Sequence, residues 1–269
     1  MERRSKEADT STHASMKLMG QDPVEDAGLA KGSNVERTGN DPQVGVTWDN
    51  IGRLAVHVVA TAVMCNAVMA DAAVPMRMPM ILDRFTFLTV QILWILLLYF
   101  SLCAVSETAR LFQHPLRVLD EGLHWVSSIA GALGISLTIG FYMLVWSDPS
   151  FHTDVVKHFT NQGINFDFYC HGTHAPSVVL ALVDAFAKRP DVARRSVPSP
   201  QAYLLPILAF VAWYACVLNA NFQLTHEWPY PFLYSLSAHG HAGLYLTILG
   251  GVWAVACLHR WLVLSGSGP

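Results

Sequence analysis

Apolar residues in this chain of 269 residues are concentrated in six long runs that are separated by short polar segments. Each run is close to the length of about 20 residues that a helix needs to cross the hydrocarbon of a bilayer. One such run is also typical of a buried helix in a large soluble protein, but six in succession favour a polytopic membrane protein. We therefore predict an all-α fold with six transmembrane helices within residues 51–269. The runs are Leu54–Val74, Phe85–Val105, His124–Trp146, Phe168–Ala187, Tyr203–Phe222 and His241–Leu258.

Residues 1–50 differ in composition from the rest of the chain. They contain nine acidic residues, six lysines or arginines and many serines, threonines and glycines, but almost no aromatic residues. Such a segment buries too little apolar surface to offset the entropy cost of ordering. It also lacks the apolar core that follows the basic start of a signal peptide. The sequence therefore predicts a disordered N-terminal tail.

The overall composition supports a membrane protein and excludes some partners. Hydrophobic residues make up 52% of the chain and charged residues only 14%, against about 25% charged residues in soluble domains. The net charge of -3 and the lack of a basic stripe argue against a nucleic-acid partner. The five cysteines lie in or beside apolar runs without metal-binding or disulfide spacing, so we expect them to be packing residues.

The distribution of basic residues predicts the orientation in the membrane. If the N-terminus is cytosolic, 14 of the 17 lysines and arginines fall on the cytosolic side. The other side then has only Arg77, Arg84 and Lys157. Because lysine and arginine accumulate in cytosolic loops, we expect both termini in the cytosol. The membrane would be that of the endoplasmic reticulum or the plasma membrane.

This orientation brings polar residues that could take part in catalysis or binding to one leaflet. An ionisable group inside a membrane is costly and marks a candidate functional site. His171 and His174, three residues apart on one predicted helix, would project from the same face. The other residues predicted at this level are Thr86, Thr89, Asp71, Trp228 and Tyr230.

Nucleophilic catalysis is one function that this arrangement permits. A threonine hydroxyl becomes a competent nucleophile when an adjacent histidine accepts its proton. Thr89 and His174 are predicted at similar depth on neighbouring helices. The chain has no G-x-S-x-G segment, which excludes an α/β-hydrolase arrangement. From the spacing alone, a purely structural hydrogen bond between these residues is an equal alternative.

Two other functions remain open from the residues alone. A metal-dependent lipid hydrolase or hydroxylase would use the histidines of the same side as ligands, although Asp184 lies about 15 Å further along its helix and cannot complete that site. A non-enzymatic lipid carrier or transporter would have Thr89 and His174 lining a cavity. The histidines considered for a metal are His171, His174, His239 and His241.

Short motifs resemble one family of membrane proteins. They are the segments Arg84–Val90, His171–His174 and Glu227–Leu233, together with Cys65-Asn66 and Asp71 in the first run. In this order they are similar to the androgen-induced and androgen-dependent TFPI-regulating membrane proteins. The residues that flank His171–His174 depart from the family's pattern at Cys170, Ala175 and Pro176.

The resemblance implies a function and a set of roles. Members of the family have six spans and cytosolic termini, and they hydrolyse fatty acid esters of hydroxy fatty acids without a cofactor. The resemblance implies that Thr89 is the nucleophile and His174 the essential histidine. We expect His171 to be a packing or hydrogen-bonding neighbour. We expect Asp71 to mark the membrane surface, with orientation of His174 as the alternative. Trp228 and Tyr230 fit an interfacial aromatic belt, with lining of the substrate portal as the alternative. The candidate supporting or substrate-binding residues are His171, Asn66, Asp71, Trp228 and Tyr230.

Overall fold

The computed structural model describes residues 48–75, 80–146 and 149–265, and within these ranges the fold is entirely helical. The predicted disorder of the tail concerns residues 1–47, which lie outside the described residues. The last three residues of the predicted tail are already helical, because the first helix begins at Trp48. The helices are α1 (Trp48–Ala73), α2 (Leu88–Leu111), α3 (Arg117–Trp146), α4 (Pro149–Asn161), α5 (Phe166–Ala187), α6 (Pro190–Ser196), α7 (Leu204–Thr225) and α8 (Ala238–Ser265).

Within the described residues, five helices are long and apolar enough to cross a membrane: α1, α2, α3, α7 and α8. The sixth predicted span is α5, whose 22 residues correspond to about 33 Å of helix. Its first half contains His171, Thr173 and His174, which lower its hydropathy. α5 packs against α1, α3 and α8 as part of the same bundle. The all-helical, six-span fold class is confirmed.

The short helices α4 and α6 were not predicted, because each lies in a polar connection between spans. α4 immediately precedes α5, and their connection contains Gly163 with a φ of 72°, a conformation that glycine adopts without strain. α6 begins with a proline at its first position, where the missing N–H costs nothing. α4 packs against α3 and α5, and α6 packs against α3 and α8.

The ends of the spans are fixed by specific groups. The side chain of Asn165 caps α5 by accepting the backbone N–H of Phe168 at 3.0 Å. α7 ends at His226, which has a left-handed φ of 58° and donates its N–H to Phe222 O. The start of α5 and the end of α7 are therefore each defined by a specific hydrogen bond.

The core of the bundle lies where α1, α2 and α3 meet, with contributions from α7 and α8. Met64, Leu93, Leu96, Phe100 and Ile207 are almost fully buried there. Large apolar side chains on the outside are exposed, which suits a surface that faces lipid. The core therefore holds the helices at fixed positions for the polar groups between them.

Candidate active site

Thr89 and His174 face each other across the interface between α2 and α5. The hydroxyl oxygen Oγ1 of Thr89 lies 3.4 Å from Nε2 of His174. His174 is 3% exposed, whereas Thr89 is half-buried and can be reached from outside. The separation is within the looser range that nucleophile–base pairs have without substrate.

The partners of the other ring nitrogen of His174, Nδ1, determine which nitrogen carries the proton. Nδ1 lies 3.1 Å from the carbonyl oxygen of Cys170 and 2.9 Å from Oγ1 of Thr173. The Thr173 hydroxyl donates to Tyr169 O at 2.9 Å, so it acts as an acceptor toward His174. A carbonyl oxygen only accepts hydrogen bonds, which assigns the hydrogen to Nδ1. Nε2 then presents its lone pair to Thr89, as a general base must.

The imidazole ring of His174 is also held from the side. The ring of Phe141 on α3 stacks on it with a centroid distance of 3.6 Å and an interplanar angle of 15°. The hydroxyl of Thr138, one turn earlier on α3, donates to the carbonyl oxygen of His174 at 2.7 Å. Pro176 has no N–H to offer the carbonyl of Gly172, so α5 is locally weakened here and benefits from this support. The sequence pattern gave no indication of the Phe141 contact.

Hydrogen-bond donors surround the start of α2, beside Thr89. Phe87 is extended, and within the described residues the backbone N–H groups of Thr89 and Val90 have no acceptor. The N–H of Leu88 donates to the Tyr230 hydroxyl at 3.1 Å. The unpaired N–H groups point out of the helix end and the Tyr230 hydroxyl lies next to Leu88, so a negative charge at this helix end would be stabilised.

The Tyr230 hydroxyl accepts two hydrogen bonds and does not use its own hydrogen in either of them. It accepts the hydroxyl of Tyr214 at 3.3 Å as well as the N–H of Leu88. The two tyrosine hydroxyls carry two hydrogens, and the bond between them uses only one. Burial raises the pKa of Tyr230, so its hydroxyl stays protonated. One tyrosine hydrogen therefore remains for an acceptor near Thr89.

Asp71 and Asn66 do not contact the pair. Asp71 accepts the hydroxyl of Tyr169 at 2.8 Å and lies 3.5 Å from the guanidinium of Arg84. Arg84 also donates to backbone carbonyls at the end of α1. Asp71 therefore pairs with Arg84 in the connection before α2 and is tied to α5 by the Tyr169 hydroxyl, and it does not orient His174. Asn66 is exposed on α1, and the described residues offer it no hydrogen bond.

His171 is placed apart from His174. Two residues three positions apart differ by about 60° around a helix, so His171 lies on the exposed edge of α5 while His174 points inward. Nδ1 of His171 pairs with the hydroxyl of Tyr142, and the two rings stack at 5.6 Å. The packing or hydrogen-bonding role of His171 stays a prediction.

The prediction that Trp228 belongs to an interfacial belt is wrong. Trp228 is 5% exposed and stacks on Phe222 with a centroid distance of 4.5 Å. It packs in a small core with Leu218 and Leu233. The reason is that the loop after α7 folds back onto that helix and covers the indole. Tyr230 is held in the same folded loop, with its hydroxyl against α2.

The four histidines considered for a metal are dispersed. His241 hydrogen-bonds the carbonyl of Leu233 at 3.1 Å, and His239 is exposed. Among the described residues, the ligand atoms that lie within 4.8 Å of one another belong instead to His57, Cys103 and Asp184. That group is at the far end of the bundle. Among the residues that the structure describes, the histidines at the candidate active site are therefore not gathered into a group of three metal ligands.

Ser177 is a poor substitute for Thr89 as a nucleophile. Its hydroxyl is fully buried and has no hydrogen-bond partner among the described residues. Its backbone lies against Gly134 of α3, where an added Cβ would be 3.1 Å from Ser177 O. A substrate has no direct approach to this oxygen.

The fold and the site together define a helical membrane protein with a threonine–histidine pair near one end of its bundle. The chain belongs to the FAR-17a/AIG1-like protein family, whose sequence model matches residues 52–263. This match confirms the resemblance to the androgen-induced membrane proteins. Comparison with curated proteins and with solved structures gives no match.

Proposed function

We propose that this protein is an intramembrane lipid-ester hydrolase with Thr89 as nucleophile and His174 as general base. The observation that carries the proposal is the 3.4 Å approach of Oγ1 to an Nε2 whose lone pair faces it. The substrate class, fatty acid esters of hydroxy fatty acids, comes from the resemblance of the motifs to the family. The partners are this lipid and the bilayer, and no cofactor takes part in the steps below.

The first half of the reaction transfers the acyl group to the enzyme. Oγ1 of Thr89 attacks the ester carbonyl carbon while its proton moves to Nε2 of His174. The carbonyl oxygen becomes an oxyanion, which the N–H groups of Thr89 and Val90 and the hydroxyl of Tyr230 can stabilise. The tetrahedral centre collapses, and the leaving alkoxide takes the proton from His174. The hydroxy fatty acid departs and Thr89 carries the acyl ester.

The second half regenerates the enzyme. Water gives a proton to Nε2 of His174 and attacks the acyl ester. The second tetrahedral centre releases Oγ1 of Thr89, which recovers the proton from His174. The fatty acid leaves, and the Nδ1–H that donates to Cys170 O keeps the imidazole in the same tautomer throughout.

The proposal includes an orientation. The distribution of basic residues places both termini in the cytosol, so the Thr89 end of α2 would lie in the opposite leaflet. A lipid ester could then approach Thr89 from the side, past the exposed Phe85. The membrane is that of the endoplasmic reticulum or the plasma membrane.

Two matched valine variants test the proposal. Thr89→Val removes the nucleophilic oxygen but keeps the shape of the side chain. Thr86→Val is the control, because the Thr86 hydroxyl is buried without a partner and its loss leaves nothing unpaired. In reconstituted vesicles that contain a fatty acid ester of a hydroxy fatty acid, we expect Thr89→Val to be inactive and Thr86→Val to hydrolyse at the wild-type rate. Hydrolysis by Thr89→Val at the wild-type rate would exclude the proposed nucleophile.

A further inference from the structure

A second polar cluster occupies the opposite end of the bundle from Thr89. It lies where α1 begins, α2 ends, α3 begins and α5 ends. Asp184 is at its centre and pairs with Nε2 of His57 at 3.0 Å and with Nζ of Lys188 at 3.0 Å. We call it the distal charge cluster; its members are Arg53, His57, Tyr99, Glu107, Arg110, Asp120, Asp184, Lys188 and Arg189.

Five members form an alternating chain of charges. Nε of Arg53 lies 4.0 Å from Glu107, which also pairs with Arg189. The guanidinium of Arg189 lies 3.4 Å from Asp120, which pairs in turn with Arg110. Glu107 and Arg110 are three residues apart on α2, which is slightly less than one helical turn. The chain therefore begins and ends with an arginine.

The cluster has an excess of positive charge. Its three carboxylates, on Glu107, Asp120 and Asp184, face four cations, because Lys188 adds to the three arginines. The buried Nε atoms of Arg53, Arg110 and Arg189 have no hydrogen-bond partner among the described residues, whereas every buried carboxylate oxygen of the cluster has one. An uncompensated charge and unpaired donors are costly at a membrane protein's interior. An acceptor that carries negative charge would compensate both the excess charge and the unpaired donors.

A metal cation does not fit this cluster. His57, Cys103 and Asp184 offer ligand atoms within 4.8 Å of one another. However, the ammonium of Lys188 already lies 3.0 Å from the same carboxylate oxygen of Asp184 that His57 contacts. A divalent ion would have to approach this ammonium inside a cluster that is already positive.

The ligand of this cluster cannot arrive from the candidate active site. Asp184 lies ten residues beyond His174 on α5, which is about 15 Å of helix. Between the two levels, Ala60, Leu96 and Ala181 are at most 2% exposed and fill the space. The cavity inside the cluster is about 10 Å³, which suits one water molecule and no larger group.

A ligand can instead reach the cluster from the membrane face, where its two outer arginines, Arg53 and Arg110, are partly exposed. The side chains of Arg53 and Arg110 are 19% and 17% exposed, whereas that of Arg189 is 7% exposed. They lie at helix ends, where the hydrocarbon gives way to lipid headgroups. Basic sites between helices at this level are suited to phosphate-bearing headgroups.

We propose that the distal charge cluster binds the phosphate group of an acidic phospholipid through Arg53 and Arg110, with Arg189 behind them. The lipid phosphate accepts hydrogen bonds from the guanidinium groups and compensates the excess charge. Its acyl chains lie along the apolar outer faces of α1 and α2. The lipid would thereby stabilise the junction of four helices, independently of ester hydrolysis.

Lipid binding by the full-length protein tests this proposal. Native mass spectrometry would titrate the purified chain with phosphatidic acid, with phosphatidylcholine and with inorganic phosphate. Arg53→Gln removes one outer guanidinium, and Arg53→Lys retains the charge without the forked donors. Arg117→Gln is the matched control, because Arg117 is an exposed arginine at the same end and outside the cluster.

We expect wild type and Arg117→Gln to retain phosphatidic acid with equal affinity. Arg53→Gln should bind it about fivefold or more weakly, because it loses charge-assisted hydrogen bonds to the phosphate that Arg117 does not make. If Arg53→Gln does not fold, Arg53→Lys replaces it and should bind at an intermediate affinity. Equal affinity in the Arg53 and Arg117 variants would overturn the proposal. So would equal retention of phosphatidylcholine, or full competition by inorganic phosphate. None of these results depends on whether Thr89 is a nucleophile.

Discussion

Removal of the Tyr230 hydroxyl should damage catalysis far more than folding. The Tyr230→Phe substitution deletes one oxygen, which accepts the N–H of Leu88 at 3.1 Å and the hydroxyl of Tyr214 at 3.3 Å. At about 1 kcal/mol for each lost hydrogen bond, the free energy of unfolding should fall by about 2 kcal/mol. If Tyr230 also donates to the oxyanion, kcat should fall by about 100- to 1,000-fold, or roughly 3–4 kcal/mol of transition-state stabilisation.

The assay must separate these two losses. Turnover of the ester in vesicles would be divided by the number of sites that a lipophilic hydrolase probe labels, so that unfolded protein does not count. KM should change little, because the donor acts mainly on charge that develops in the transition state. Tyr214→Phe is the matched control: it removes one hydrogen bond of the same network and leaves the Tyr230 hydroxyl beside α2.

We expect Tyr214→Phe to lower kcat per labelled site by less than about tenfold, in line with the loss of one neutral hydrogen bond. A Tyr230→Phe enzyme with the wild-type kcat per labelled site would refute the role of this hydroxyl. Equal losses in the two variants would show that the tyrosine pair acts only by supporting the loop.

Three further predictions concern the pair, the packing and the topology. Thr89→Val and His174→Ala should each abolish turnover, and the double variant should be no worse than either, because groups that act as a unit are not additive. Gly131→Ala should lower the free energy of unfolding by about 2–4 kcal/mol in detergent, because its Cβ would lie 2.3 Å from Nε2 of His259, whereas Gly140→Ala on the same helix meets nothing within 4 Å and should be neutral or slightly stabilising. A glycosylation acceptor engineered into α4 should be modified in cells, and one in α6 should not.

Each of these predictions has a contrary result. Additive losses in the double variant would indicate that the two residues line a cavity and do not act together. A Gly131→Ala protein as stable as Gly140→Ala would mean that α3 and α8 are not in the close contact described. Modification of α6 in place of α4 would invert the proposed orientation.

The length of the apolar runs was sufficient to predict the spans, because every helix needs about the same number of apolar residues to cross a bilayer. It did not find the true start of α3 at Arg117, since the first turn of that helix contains Asp120 and is polar. The short helices α4 and α6 escaped for the same reason. Their residues are ordered by contacts with the bundle and not by an apolar run.

The sequence pattern could relate Thr89 to His174 because both lie near the start of helices that run in the same direction. It could not identify Phe141 or the Tyr230 hydroxyl, because these contacts depend on how neighbouring helices rotate about their axes. The same rotation separates His171 from His174, although their spacing suggested a shared face. Trp228 was misassigned because its burial depends on a loop that folds back onto α7.

The most direct test of the central claim is to locate the acyl group during turnover. The full-length protein would be mixed with a fatty acid ester of a hydroxy fatty acid, quenched rapidly with acid, digested and analysed by tandem mass spectrometry. The account predicts an acyl ester on the oxygen of Thr89, formed before the fatty acid is released and absent from Thr89→Val. An acyl group on Ser177 or another residue, or turnover with no acylated intermediate when deacylation is slowed at low temperature, would contradict it.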